Sequence, residues 1–399
     1  WIMVDRDISI NVYYVLVGGW LKLFGVGLWQ GRALSFVLVH VVIILTALAA
    51  KNLYGKRTAW FTAAALFSSV IMMSGARLRH DIGLAVSVAA ALWLWSEARK
   101  RRNLSLHFAA GLALGSGLAS HYHAPFFGVA LTLAFYGPAL VMERESRRRA
   151  FTNLVLFGVG GLAAAILIIA IQPIPSGGPA AYLPSNALSE WLEGVRRYVV
   201  NISQFSKYES ALIAFGVAAA LLRRSKPDIV VIGAATLAHL GLAIASPSGL
   251  GMYYLVPVTP FYGLLIGSLF GQGLGRSFGK SLTVSSASTL VICAVFLVIN
   301  LGDTLHTPLS QLSQDSALEP APTAPAQWVL DNIPPGSIIV GEHIHYLWLT
   351  DYRYVSPLAP NLMKPSLRAQ FDTLPAVWED INPDVFMVDD AGSTYPLLS

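Results

Sequence analysis

The residues able to do chemistry fall in a few short segments. Asp5 and Asp7 stand near the start of the chain, and Arg77, Arg79, His80 and Asp81 crowd the turn G-A-R-L-R-H-D. His121 and His123 flank Tyr122, while Tyr253 and Tyr254 open a late apolar run. Arg196, Arg197 and Lys207 lie in a long loop. A carboxylate can act as general base toward a hydroxyl. Paired arginines can clamp a phosphate through bidentate, charge-assisted hydrogen bonds. Together, at a membrane surface, these groups suit a lipid-phosphate substrate whose tail lies between helices.

Each group also has a plainer reading. Asp81 stands where a helix N-terminus favours an anion and can pair with Arg79. Arg77 and Arg79 can snorkel to lipid phosphates. Tyr253 and Tyr254 can anchor at the membrane interface, and Asp5 and Asp7 can be solvated tail residues. His121 and His123 have the spacing of a metal pair but no acidic or Cys partner nearby in sequence. No metal and no cofactor are expected.

The elements that must position these residues are apolar spans. Ten cross the sequence, at 33–50, 58–75, 81–97, 104–120, 124–142, 151–172, 208–222, 228–246, 252–271 and 283–302. Charged residues make up 12% of the chain, against about 25% in a soluble domain. Runs near the ~20 residues needed to cross a bilayer then imply a polytopic membrane protein. Lys and Arg concentrate in every second loop, 16 in the loops at 51–57, 97–103, 143–149, 223–228 and 272–282 against 5 in the loops that intervene between spans. That excess marks the cytoplasmic side. The candidate residues therefore face outward, and the net charge of +5 needs no nucleic-acid partner. The single Cys293 lies in an apolar span, so no intrachain disulfide can form.

An even number of spans puts both ends outside. An outside N-terminus without a signal peptide leads to the expectation of one further upstream span, eleven in the full-length protein. Residues 9–25 carry a helical stripe of Tyr13, Val17, Trp20, Leu21 and Phe24, broken by Lys22, which fits an interfacial helix. External loops are expected at 1–32 and 173–207, the latter with a short helix near 186–200. The expected organisation is a transmembrane domain over 1–302, then a linker and a small extracytoplasmic α/β domain over 303–399. In that domain a helix at 325–333, a strand at 337–341, a helix at 366–380 and a strand at 384–388 alternate.

The stretch D-R-D-I-S-I-N-V-Y-Y-V-L-V-G-G-W-L-K-L-F-G, followed by G-R-A-L-S, resembles the first external loop of GT-C membrane glycosyltransferases. The nearest branch is that of dolichyl-phosphate-mannose protein mannosyltransferases and aminoarabinose transferases (glycosyltransferase family 39-like). Asp7 falls on the family Asp, with Asp5 as the alternative. Ile10 and Asn11 replace the usual prolines. A-R-L-R-H-D resembles the second external loop, with Arg79 and Asp81 matching. G-L-A-S-H-Y-H and M-Y-Y-L-V-P-V-T-P-F are similar to later external helix ends, Met252 standing where the family usually has Arg.

The resemblance implies an inverting sugar transferase that takes its donor from a polyprenyl-phosphate-linked sugar. Its acceptor would be a hydroxyl on a glycan, lipid or protein at the outer face of a bacterial cytoplasmic membrane. Asp7 or Asp5 would be the base. Arg77, Arg79, Asp81, His121, His123, Tyr253, Tyr254 and Arg196 would bind substrate. The competing class is a transporter or flippase of lipid-linked sugars, which calls for mid-membrane ionisable groups and a pseudo-repeat. His239 lies mid-span, and no repeat is visible.

Overall fold

A computed structural model describes residues 12–25, 28–75, 80–121, 123–142, 147–171, 207–245, 252–272, 324–340, 353–355 and 382–386, with single turns around 192–196 and 295–302. The chain forms two compact units. One comprises Trp1–Gly31, Ile169–Ala181 and Ser313–Ser399, and the other Arg32–Ile168 and Tyr182–Leu312.

In the first unit, α1 (Val12–Phe24) is the expected amphipathic helix. Tyr13, Val17 and Leu21 are buried while Leu23 and Phe24 are exposed. Gly25 ends it with φ of 92°, a conformation glycine adopts at no steric cost. The Trp20 indole N–H donates to the Gln30 carbonyl (2.7 Å) and fixes the turn into α2 (Leu28–Tyr54). Farther along lie a helix, α12 (Ala324–Asn332), and a three-stranded parallel sheet in the order β2-β1-β3. Its strands are β1 (Ile338–Val340), β2 (Arg353–Val355) and β3 (Val385–Phe386). β1 pairs Ile338 with Arg353 and Ile339 with Val385. β2 was not expected, because D-Y-R-Y-V-S is too short to show alternation. The expected helix at 366–380 lies outside the described residues.

The second unit is the helical body. It contains α3 (Lys56–Phe67), α4 (Val70–Ser74), α5 (Asp81–Arg101), α6 (Leu104–Gly115), α7 (Ala124–Met142), α8 (Arg147–Ile171), α9 (Lys207–Arg223), α10 (Lys226–Ala245) and α11 (Thr259–Gln272). Six described helices are long and apolar enough to cross a membrane, which makes this a multi-pass membrane protein. Three expected spans are not continuous α-helix, and the run 104–120 ends as a 3-10 helix from Ser116. The run 58–75 divides at Ser68 and Ser69 into α3 and the five-residue α4. The run 252–271 begins as a 3-10 helix, Met252–Val258, before α11. The span expected at 283–302 lies almost wholly outside the described residues.

Small residues set the helix spacing. Gly263, Gly267 and Gly271 form a stripe on α11 against Leu66, Thr62 and Thr58 of α3. A Cβ at Gly267 would lie 2.1 Å from Thr62 Oγ1, so only glycine allows this approach. Gly111 and Gly115 on α6 meet α8 in the same way, at the carbonyls of Phe157 and Gly161. Small-residue stripes of this kind let helices associate where lipid gives no hydrophobic drive. The span containing α11 is 89% buried, and α8 only 17%, so α11 is central and α8 peripheral. The core joins Trp95, stacked on Phe135 at 4.2 Å, with the fully buried Phe127 and Phe261.

Described basic loop ends meet at one end of this body, where Lys100 donates to Asn52 Oδ1 (3.3 Å) and Arg149 to the Arg102 carbonyl (3.4 Å). There Asp228, fully buried, is held by Arg223 (2.8 Å), Ser225 Oγ (2.6 Å) and Tyr54 OH (3.1 Å). Arg223 also donates to Ser268 Oγ at 2.7 Å. This network ties α2, α9, α10 and α11 together. A buried ion pair tolerates the loss of either partner poorly.

Candidate active site

At the opposite end from Asp228, Asp81 is the first residue of α5 and 2% exposed. The helix dipole favours a carboxylate there. The segment that meets it is the turn after α6. A 3-10 helix, Ser116–Ala119, presses on α5, and Gly117 makes that approach possible. A Cβ on Gly117 would lie 2.7 Å from Leu84 Cδ1 and 3.2 Å from Ser87 Cβ. The chain then turns tightly. The amides of Ser120 and His121 donate to the Gly117 carbonyl, and that of Ala124 donates to the His121 carbonyl.

The turn delivers His121 Nε2 to 3.5 Å from Asp81 Oδ1, with both side chains buried. His80 stacks on His121, ring centroids 4.8 Å apart. His123 lies 4.2 Å from His121 on centroids, and Tyr254 packs against both, at 5.8 and 5.5 Å. Tyr254 is supplied by the 3-10 helix that opens at Met252, which packs on α4 and α5. The site is thus a carboxylate in a wall of imidazoles and one phenol. Burial, and secondarily the charge of His80, push the His123 imidazole down to about 4, so it is neutral at physiological pH.

Among the described residues, His80, Asp81 and His121 could hold a cation, since their ligand atoms lie within 4.8 Å of one another. One hydrogen bond bears on this. The His123 backbone N–H donates to His121 Nδ1 at 3.0 Å. In a neutral imidazole the accepting nitrogen carries no proton, so the proton sits on Nε2, facing Asp81. An Nε2 proton and an Nε2–metal bond exclude each other. In that tautomer His121 sets an Nε2–H at 3.5 Å from Asp81 Oδ1.

Of the residues expected from sequence, Asp81, His121, His123 and Tyr254 come together. Asp5, Asp7, Arg77 and Arg79 lie outside the described residues, as does the Tyr253 side chain. Arg196 is an exposed helical residue. His80 joins the cluster although sequence offered it only as a neighbour of Asp81. Glu209, buried at the start of α9, was not foreseen at all. A lone acid at the edge of an apolar run carries no signal of its partner.

Residues 12–172 match the family described as dolichyl-phosphate-mannose-protein mannosyltransferase. No curated protein sequence matches the chain. Among solved structures the chain is similar to ArnT from Cupriavidus metallidurans bound to undecaprenyl phosphate. The TM-score is 0.58 at 15% identity, over 88% of this chain and 75% of that one. The apo state of the same protein gives a TM-score of 0.55 at 15% identity, over 86% and 74%. The chain therefore has the GT-C glycosyltransferase fold. The matched segment, residues 12–172, includes Asp81, His121 and His123.

Proposed function

We propose that the protein transfers a sugar from a polyprenyl-phosphate-linked donor to an acceptor hydroxyl at the external face of a bacterial cytoplasmic membrane. The observation that carries this reading is the buried Asp81–His121 pair. It lies inside the family-matched segment, at the helix ends away from the basic loops. That the ArnT structure of like fold holds undecaprenyl phosphate supports a lipid-phosphate donor.

In the proposed reaction Asp7, or Asp5, takes the proton of the acceptor hydroxyl. The hydroxyl oxygen attacks the anomeric carbon, and the bond from that carbon to the phosphate oxygen breaks. A single displacement inverts the anomeric centre. Arg77 and Arg79 hold the departing phosphate. Asp81, oriented by His121, binds a sugar or acceptor hydroxyl, with His123, Tyr254, Tyr253 and Arg196 as further contacts. Phosphate departs readily once its charge is matched, so no metal is needed in this scheme.

The test is transfer by the reconstituted full-length protein from a polyprenyl-phosphate sugar, with Asp7→Asn, Asp5→Asn, Arg79→Ala and Asp81→Asn alongside. Loss of transfer in the Asp81 variant and in one of the two N-terminal Asp variants is expected. Full activity in all four sinks the assignment, and flipping without transfer points to the transporter reading.

A further inference from the structure

The five-residue helix α4 is held by a side chain 140 residues away in sequence. Glu209, 2% exposed, accepts the Ser69 hydroxyl on Oε1 (2.5 Å). Its Oε2 accepts the backbone amides of Val70 (3.1 Å) and Ile71 (3.4 Å). Ser69 Oγ in turn accepts the Met72 amide (2.9 Å), and the Ser69 carbonyl accepts the Met73 amide (3.0 Å). The first turn of a helix leaves its amides without intrahelical partners. Here one carboxylate and the serine it grips satisfy that turn. So short a helix cannot be stable by itself, and its place is set by what holds its ends and flank.

Those contacts lead to the site. At the far end of α4, Gly75 leaves no room for a side chain. A Cβ there would stand 3.0 Å from Val256 Cγ1 and 3.3 Å from Ile82 Cδ1. Ile82 is the neighbour of Asp81, and Val256 lies two residues from Tyr254. Along its flank, Met72 Sδ meets Thr259 Oγ1 at 3.1 Å. The chain of contact runs from Glu209 through α4 to Ile82 and Val256, the near neighbours of Asp81 and Tyr254.

We propose that Glu209 is a positioning residue: by gripping the start of α4 it fixes the placement of Asp81 at the head of α5. The proposal rests on the transferase reading for its effect on activity, but not for the mechanical link.

Two measurements on the full-length protein test it. The first is transfer activity in a double-mutant cycle. Glu209→Ala is expected to lower kcat about tenfold. Added to Asp81→Glu, it is expected to lower kcat by less than about threefold, because both changes disturb one group. Glu209→Gln, which keeps one accepting oxygen for the α4 amides, is expected within about threefold of wild type. Losses that multiply, or a Gln variant as poor as Ala, overturn the proposal. The second is independent of activity. In a Cys293→Ser background, His80→Cys and Lys51→Cys are labelled with a membrane-impermeant maleimide in detergent. Glu209→Ala is expected to speed labelling at position 80 at least fivefold and leave position 51 unchanged. No change at 80, or an equal rise at both, overturns the proposal. If wild type shows no transfer, the transferase reading falls, and labelling alone decides the link from Glu209 to the Asp81 end.

Discussion

The backbone amide of His123 donates to Nδ1 of His121, and this bond decides what His121 presents to Asp81. With Nδ1 occupied, the neutral ring offers a proton from Nε2. A carboxylate facing that proton is drawn to it.

Activity is therefore expected to survive exhaustive chelation with EDTA. The check is the transfer rate before and after chelation, with metal content measured by mass spectrometry. Loss of rate restored by added zinc or manganese would reverse the tautomer argument and turn His80, Asp81 and His121 into ligands.

His121→Ala is expected to lower transfer at least tenfold, about 1.4 kcal/mol of transition-state stabilisation. His121→Gln can still donate a hydrogen bond toward Asp81 and is expected to recover part of that loss. Equal rates in wild type and the Ala variant would show that the pair has no part in the reaction.

The pH dependence of stability follows from His123. Its folded pKa, about 4, lies below the ordinary 6.5. Between those values the unfolded chain binds a proton that the folded chain refuses. Stability present above pH 6.5 is thus lost as pH falls toward 4, by at most about 3 kcal/mol. Melting temperature in detergent should fall over that window in wild type and fall less in His123→Gln. Parallel curves for the two proteins would refute this.

Gly267→Leu is expected to destabilise by more than the about 1–3 kcal/mol typical of overpacking, since backbone as well as side chain of Thr62 stands in the way. Gly19→Ala is the control, because nothing lies within 4 Å of a Cβ there. Thermal melts of the two variants should diverge, the first lower than wild type and the second equal or slightly higher.

At the opposite end, Arg223→Ala strands the buried Asp228 and is expected to cost about 3–5 kcal/mol. Transfer per folded molecule should be unchanged. A thermal melt unaltered by the substitution would mean that the network is incidental.

Much of the scaffold was legible because membrane spans are written in hydropathy. The ends of α2, α5, α7, α8 and α10 fall within a few residues of the expected spans. The break at Ser68 and Ser69 was not legible. Two serines in an apolar run do not stop a helix unless something captures the exposed amides, and Glu209 lies 140 residues away. The meeting of His121 with Asp81 was foreseen only as a shared side. Their distance depends on Gly117, whose lack of a side chain matters only once Leu84 and Ser87 are known to oppose it. The glycine stripe on α11 was visible as letters, but its partner helix was not. The residues with the clearest chemical promise, Asp5, Asp7, Arg77 and Arg79, remain defined by sequence alone.

The glycine stripe also bears on traffic through the bilayer. Where Gly263, Gly267 and Gly271 bring the backbones of α11 and α3 together, there is no seam wide enough for a hydrocarbon chain. A long lipid tail cannot slip into the helical body along that line. On the proposed reading, the tail of a lipid-linked donor would enter elsewhere on the perimeter.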